Sequence, residues 1–268
     1  MKRIRQQAVA SMAERPILWL AVATTVLSLV FVLFPEIDLA ASRLFYVDGE
    51  GFPVSGIAFF SSLRRLGQAV TRAMVIVPLV ALLVPFLFSG ARFLLSAKSA
   101  LFLLLSMAVG PGFIVNVVLK GEWGRARPRE ITEFGGTFDF SRAWEIVHYC
   151  QSNCSFVSAE AAASMQVMAL ALICPPAWRR SVAIGAFAFA LVMSVNRMAF
   201  GGHFLSDVTI AWLLTLWVMF AVHRLLYVKT PLLTDEAIAG SLGRAGDHMK
   251  RALGRFWCAL DDLLQKFK

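Results

Sequence analysis

An all-α integral membrane protein, built as a bundle of six transmembrane helices, is the fold class this sequence predicts. Three observations carry the prediction. Apolar runs long enough to cross a bilayer recur along the chain. Of the 268 residues, 58% are hydrophobic and only 16% are charged, and the mean hydropathy is +0.69, so charge is scarcer than in a soluble domain. Cations also collect in the short segments that flank the apolar runs, as they do beside membrane spans. The same facts argue against other classes. A net charge of +9 could suggest nucleic acid, but no basic cluster is interleaved with aromatics, and cationic membrane flanks account for it better. Four cysteines are too few for a disulfide scaffold.

In order along the chain, the basic start (Lys2, Arg3, Arg5) precedes a first span at about 17–34, closed by Pro35. That run is too long for a signal peptide and lacks a small-residue cleavage pattern. Residues 36–70 are interrupted by Asp38, Arg43, Asp48, Glu50, Arg64 and Arg65, so this segment is expected to lie along the membrane surface. A second span follows at about 73–88, with Pro78 and Pro85 tolerated as bends. Arg92 and Lys98 mark a turn, and the third span covers about 100–119, interrupted at Gly110-Pro111-Gly112. After a long polar loop, 120–155, the fourth span is expected at 156–174. Pro175-Pro176-Ala177-Trp178-Arg179-Arg180 forms the next turn, and the last two spans fall at about 182–200 and 204–227. Residues 1–230 thus form one membrane domain.

The tail, 231–268, places Met249, Leu253, Phe256, Trp257, Leu260, Leu264 and Phe267 at helical spacing among Lys250, Arg251, Arg255 and Lys266. That pattern predicts a cytoplasmic amphipathic helix drawn to anionic lipid, with a partner-binding helix as the alternative. The cations of the N-terminus, of Arg92 and Lys98, of Arg179 and Arg180, and of the chain after Arg224 share one side, which places both termini in the cytoplasm. Yet Arg64, Arg65, Arg72, Lys120, Arg125, Arg127, Arg129 and Arg197 fall on the opposite side, against the rule. Binding of an anionic substrate is a reason to keep them there.

Three clusters lie at span ends on that side. Asn196-Arg197-Met198-Ala199-Phe200-Gly201-Gly202-His203-Phe204-Leu205-Ser206-Asp207 spaces an arginine, an imidazole and a carboxylate. A carboxylate four residues on can hold one imidazole nitrogen by its proton and leave the other as nucleophile, and Arg197 offers a planar fork for phosphate oxygens. A capped helix start with an interfacial arginine is the plainer reading. Lys120-Gly121-Glu122-Trp123-Gly124-Arg125-Ala126-Arg127-Pro128 sets Lys120 and Arg127 close enough to engage one anion, though such loops also meet lipid headgroups nonspecifically. Ser158-Ala159-Glu160-Ala161-Ala162-Ala163 opens the fourth span with a serine that makes either an anion pocket or an ordinary cap above a close-packing alanine face.

Together the clusters resemble the type-2 phosphatidic acid phosphatase superfamily, which also includes soluble bacterial acid phosphatases and vanadium haloperoxidases. Its signature is Lys-x6-Arg-Pro, then Ser-Gly-His, then Ser-Arg-x5-His-x3-Asp. Lys120, Arg127 and Pro128 match the first part; Arg197, His203 and Asp207 match the third, with Asn196 where serine is usual. The resemblance covers about residues 100–227. It implies that Lys120, Arg127, Ser158 and Arg197 bind the phosphoryl oxygens, that His203 attacks phosphorus to form a phosphohistidine, and that Asp207 orients it. The chemistry so implied needs no metal and no other cofactor.

The middle motif departs from the family, because Glu160 stands where a histidine protonates the leaving oxygen. An ordinary glutamic acid, with a pKa of about 4.3, is ionised at neutral pH. Glu160 is therefore either a general acid whose pKa burial has raised or a structural partner of one of the arginines. His148 is a weaker substitute donor. A weak acid matters least for good leaving groups, which favours a polyprenyl diphosphate or the glycosyl phosphate of lipid A over phosphatidic acid. Cys150 and Cys154 are expected on the oxidising side, where a disulfide would pin the approach to Ser158; two free thiols are the alternative, and Cys174 and Cys258 look unpaired.

The sequence thus predicts a lipid phosphatase of a bacterial inner membrane, with its site on the periplasmic face, a lipid phosphate as its partner and no nucleic acid. Two rivals are a lipid-phosphate binding protein of the same fold that no longer turns over, and a multi-pass transporter. The transporter would require polar residues deep within the spans, and almost none are found.

Overall fold

A computed structural model describes residues 15–91, 95–230 and 232–265, with side chains to residue 258. The basic start, Arg92, and the side chains of Leu260, Leu264, Lys266 and Phe267 lie outside the described residues. Within them the regular elements are helical, and β pairing is limited to two isolated bridges. The helices are α1 (Pro16–Leu33), α2 (Glu36–Arg43), α3 (Ala58–Leu87), α4 (Ala97–Met107), α5 (Ala159–Met165), α6 (Ala169–Ile173), α7 (Arg179–Ala199), α8 (Leu205–Arg224) and α9 (Asp235–Gln265).

Sequence chemistry explains their limits. Pro16 starts α1 at a position where a missing N–H costs nothing. Glu36 and Asp38 sit in the first turn of α2 and Arg43 in its last, matching the helix dipole at both ends. Thr234 Oγ1 accepts from Ala237 N at 3.1 Å to cap α9. Pro111 does not break the chain after α4, which continues as a π-helix, Ala108–Leu119. The interruption expected at Gly110-Pro111-Gly112 is thus absorbed by a change of helix type.

Among the described residues five helices are long and apolar enough to cross a membrane: Pro16–Leu33, Ala58–Leu87, Ala97–Glu122, Pro176–Ala199 and Leu205–Lys229. The fourth expected span is instead a shorter apolar run, Ala159–Ile173, with a 3-10 turn at Gln166–Met168 between α5 and α6. Residues 58–70, expected along the membrane surface, are the first turns of α3. Arg64, read as an interruption there, is accommodated because Glu160 receives its charge. The spans turn large apolar side chains outward, Leu33 at 68% exposure, while Asp38, Arg125, His203 and Asp207 are buried. Polar groups inside and hydrocarbon outside is the arrangement a bilayer imposes.

The chain divides into two compact units. One comprises the chain up to Ala73 with Leu105–His223. In it α5 packs on α7 and on the π-helical segment, and Ala161, Ala162, Ala211, Val115 and Phe156 form a buried apolar cluster in which alanines allow close helix approach. The other comprises Met74–Leu104 with the chain from Arg224 onward. There α9 docks on the end of α3: Ser89 Oγ donates to Asp247 Oδ1 at 2.6 Å, and a side chain at Gly246 would collide with Phe86 O. Asp235 Oδ1 accepts from Lys98 N at 2.7 Å. Met249, Leu253, Phe256 and Trp257 of α9 are exposed.

Candidate active site

The site begins where the third span runs out. Lys120 closes the π-helical segment, its N–H donating to Val115 O, and is 7% exposed; its side chain makes no hydrogen bond or ion pair among the described residues. The chain then turns at Gly124, whose φ of +60° puts it in left-handed space, and a Cβ there would lie 1.8 Å from Val147 O. Only glycine fits this position. The turn lets the strands of the loop face each other: Val147 N donates to Trp123 O at 3.1 Å, Cys150 N to Gly124 O at 3.0 Å, and Ser155 N to Arg125 O at 2.9 Å. Trp123, Trp144 and Phe156 pack together, Trp144 edge-on to the other two.

Cys150 and Cys154 are joined by a disulfide, with Cα atoms 5.5 Å apart, and Cys174 and Cys258 are free. Inside the disulfide loop Asn153 has φ +54°, a conformation asparagine tolerates better than most residues. Its carbonyl accepts from Arg127 Nη2 at 2.6 Å. Ser158 caps α5, its Oγ accepting from Ala161 N at 3.3 Å, and its own N–H donates to Asp207 O at 3.1 Å. Its hydroxyl acceptor is thus used as a helix cap, the plainer of the two readings, although the O–H remains a donor. His148 is exposed on the loop.

At the end of α7, Arg197 is 4% exposed and its Nε lies 3.3 Å from Glu160 Oε2, an ion pair without the alignment of a hydrogen bond. Glu160 also accepts from Arg64 Nε at 2.9 Å and from Nη2 at 2.7 Å. Of the roles open to it in the sequence, this is the arginine partner, and it joins two arginines. Gly202 makes room for Arg197: a Cβ there would stand 2.6 Å from its Nη2.

His203 is 2% exposed. Its Nδ1 is 2.8 Å from Ser155 O and 3.7 Å from Asp207 Oδ2. A carbonyl only accepts, so Nδ1 carries the proton and Nε2 keeps its lone pair. The expected direct hold of Asp207 on the imidazole is therefore replaced by one through Ser155, whose Oγ donates to Asp207 Oδ2 at 2.5 Å. Burial, then the positive fields of Arg197 and Lys120, pushes the His203 pKa down to about 4, with Asp207 opposing; the imidazole is neutral. Lys120, Arg127, Arg197 and Glu160 all lie within each other's electrostatic reach, so all three clusters converge.

Several participants are invisible to motif spacing. Arg125 is wholly buried, donating from Nη2 to Asp38 Oδ2 at 2.9 Å and from Nη1 to Asp207 Oδ1 at 2.7 Å. Burial works against its charge, but the carboxylates of Asp207 and Asp38 outweigh it and raise its pKa. Asp38, Arg64, Ser155 and Ser206 come from positions the sequence left as interruptions or neighbours of motif residues. The available signal was that a carboxylate in an apolar chain needs a buried partner. Among the described residues no group of three His, Cys, Asp or Glu side chains gathers to hold a metal ion.

The family model described as the PAP2 superfamily matches residues 99–231. A lipid A 4'-phosphatase of Rhizobium leguminosarum is 36% identical over 209 residues, 73% of this chain and 90% of its own. One from Rhizobium etli is 35% identical, covering 73% and 81%, and one from Francisella tularensis subsp. novicida is 28% identical, covering 74% and 90%. No solved structure matches the chain. With the family's motifs brought together on an all-α membrane scaffold and relatives aligned over most of their length, the chain belongs to the PAP2 superfamily and is a membrane lipid phosphatase.

Proposed function

We propose that this enzyme removes a phosphate from lipid A, at the periplasmic face of a bacterial inner membrane, through a phosphohistidine at His203. The observation that carries the mechanism is the Nδ1–Ser155 hydrogen bond of 2.8 Å, which leaves Nε2 free to attack. Three relatives named lipid A 4'-phosphatase support the substrate. They favour the 4'-phosphate of lipid A, an ordinary sugar ester, over the glycosyl phosphate and the polyprenyl diphosphate expected from leaving-group quality, and over phosphatidic acid.

In the first step Nε2 bonds to phosphorus, the P–O bond to the lipid breaks, and the leaving oxygen takes one proton from solvent water, which the attacking water of the second step gives back. Water then attacks the phosphohistidine, releasing inorganic phosphate and restoring the imidazole. Lys120, Arg127 and Arg197, with the Ser158 hydroxyl, hold the phosphoryl oxygens as charge builds on them. Removing Arg127 or Arg197 as alanine variants should cost on the order of 2.7–4 kcal/mol of barrier, as loss of one oxyanion donor does elsewhere. Glu160, engaged with Arg64 and Arg197, holds these cations in place and does not carry the leaving-group proton.

The test is phosphate release by the purified enzyme in lipid micelles from lipid A phosphorylated at the 4' position, lipid A phosphorylated only at the anomeric position, undecaprenyl diphosphate, phosphatidylglycerol phosphate and phosphatidic acid. Release from the 4' substrate that vanishes in His203→Ala is the expected result. No release from any of them, with lipid binding unchanged in His203→Ala, would instead establish the reading in which the fold binds lipid phosphates without turnover.

A further inference from the structure

A deeply buried charge cluster adjoins His203 through Ser155 and Asp207. Asp38, Arg125, Ser155, Ser206 and Asp207 are each 0% exposed, and they come from α2, from the polar loop and from the start of α8. Burying two carboxylates around one guanidinium is costly unless nearly every donor and acceptor is used. Here they are. Besides its two carboxylate bonds, Arg125 donates from Nη1 to Ser206 Oγ at 2.9 Å and from Nε to Ser141 O at 3.1 Å. Its guanidinium lies 4.2 Å from the Phe204 ring centroid. Asp38 accepts from Ser206 N at 2.8 Å and from Ser206 Oγ at 2.5 Å. Asp207 Oδ2 takes Phe204 N at 2.9 Å and Ser155 Oγ at 2.5 Å.

The cluster ends on the nucleophile. Ser155 is held at both ends by it: its N–H donates to Arg125 O at 2.9 Å and its hydroxyl to Asp207. What remains is its carbonyl, which is directed to His203 Nδ1. Asp207 itself is too far from the ring for a hydrogen bond, at 3.7 Å. The imidazole's tautomer therefore depends on how firmly Asp207 and Ser155 are held. Arg125 holds Asp207 directly and is itself held by Asp38, which belongs to a segment outside the matched family region of 99–231.

Resting on the reading of His203 as nucleophile, we propose that Asp38 and Arg125 are positioning residues for phosphoryl transfer: they clamp Ser206 and Asp207, and through Ser155 fix the ring with Nε2 free. A fork is needed, because one guanidinium must reach two carboxylates at once. A brace that served only folding would change stability and leave the chemical step alone. A positioning pair changes the rate of transfer to His203 and leaves substrate binding intact, since neither residue is among the groups assigned to the phosphate.

The experiment uses the full-length enzyme in micelles and lipid A radiolabelled in its 4'-phosphate, quenched rapidly in alkali, where phosphohistidine survives. Asp38→Asn keeps the shape and loses the charge; Ser206→Ala removes the hydroxyl that bridges Asp38 and Arg125, leaving their direct ion pair and the charge unaltered. Labelling of His203 should slow about tenfold or more in Asp38→Asn and about threefold or more in Ser206→Ala, with KM unchanged within about twofold. Arg125→Lys, which keeps the charge without the fork, should not restore the rate. A folded Asp38→Asn or Ser206→Ala enzyme that labels at the wild-type rate, or that loses activity only through KM, overturns the proposal; where Asp38→Asn does not fold, Ser206→Ala decides. Turnover by the wild-type enzyme with no label on His203 is a different failure, that of the nucleophile itself.

Discussion

At the scale of single residues, the site turns on what each hydrogen-bonding atom is already doing. Glu160 is the departure from its family's pattern, and its oxygens meet Arg64 and Arg197. If it only places those cations, Glu160→Gln should reduce kcat by the same factor for good and poor leaving groups, within about tenfold. If it were the proton donor, the loss would be about 100-fold or more and would fade as the leaving group improved; phosphate release from aryl and alkyl esters of graded pKa separates the two. His203 gives a second prediction. Its ring is active when neutral, and an imidazole at its ordinary pKa of 6.5 would lose activity as pH falls through that value. With the pKa pushed to about 4, the enzyme's own acid limb in kcat/KM should lie near 4. The sign for stability is the same: below 6.5 the unfolded chain takes up the proton first, so the folded state loses stability as pH drops from 6.5 towards 4, and melting temperatures across that range check it. Motif spacing made Lys120, Arg127, Arg197, His203 and Asp207 legible because their chemistry recurs at fixed intervals. Asp38 and Arg125 were not, since their partnership spans 87 positions and exists only once the chain has folded.

Among elements, the polar loop does what a regular helix could not. It carries groups from the third span across to the start of α8, and its backbone ladder fixes Ser155 and Arg127 together. Its disulfide, legible as a pair of cysteines with three residues between them on the oxidising side, closes the segment that presents Asn153 O to Arg127. Closing so short a loop is worth about 2 kcal/mol in the chain-entropy picture, a modest contribution to global stability. Its larger consequence is local. Cys150→Ser with Cys154→Ser, or treatment with a reductant, should raise KM by about threefold to tenfold while lowering the melting temperature only slightly; steady-state kinetics with and without reductant tests this, and an unchanged KM would separate the loop from the phosphate clamp. Helix boundaries were read less well than the loop's chemistry. The charges Arg64 and Arg65 suggested that residues 58–70 lie along the membrane surface and outside any span, and Pro111 suggested a break. The first is answered by a partner on another element, Glu160, and the second by a π-helix, neither of which leaves a local sequence signal.

For the molecule as a whole, the arrangement of its cations across the bilayer is at issue. α7 runs from Arg179 towards the site, where Arg197 stands, and α5 starts from the site at Ser158. The run from α5 through α6 must therefore return to the level of Trp178, although it is shorter than the other spans and a hydrocarbon core is about 30 Å thick. Arg179 and Arg180 next to its end can reach to the interface by snorkelling, which eases the shortfall. With that crossing counted, an even number of spans is expected to put both chain ends on the cytoplasmic side. Three of the arginines on the far side are neutralised by partners: Arg125, buried, by two aspartates, and Arg64 and Arg197 by Glu160, whereas Arg65 and Arg72 are exposed. A cation neutralised within the protein exerts little pull on orientation, which is set by the solvated ones in short loops. We therefore expect the site to face the periplasm. Cys258 on α9 is exposed and free, and Ile146 on the polar loop is 60% exposed, so the two ends can be probed chemically. In intact spheroplasts a membrane-impermeant maleimide should label an Ile146→Cys variant and leave Cys258 unmodified until the cells are lysed. Labelling of Cys258 before lysis would mean that the α5–α6 run does not cross or that the bundle is inverted, and in either case lipid A on the outer leaflet of the inner membrane could not be the substrate reached by His203.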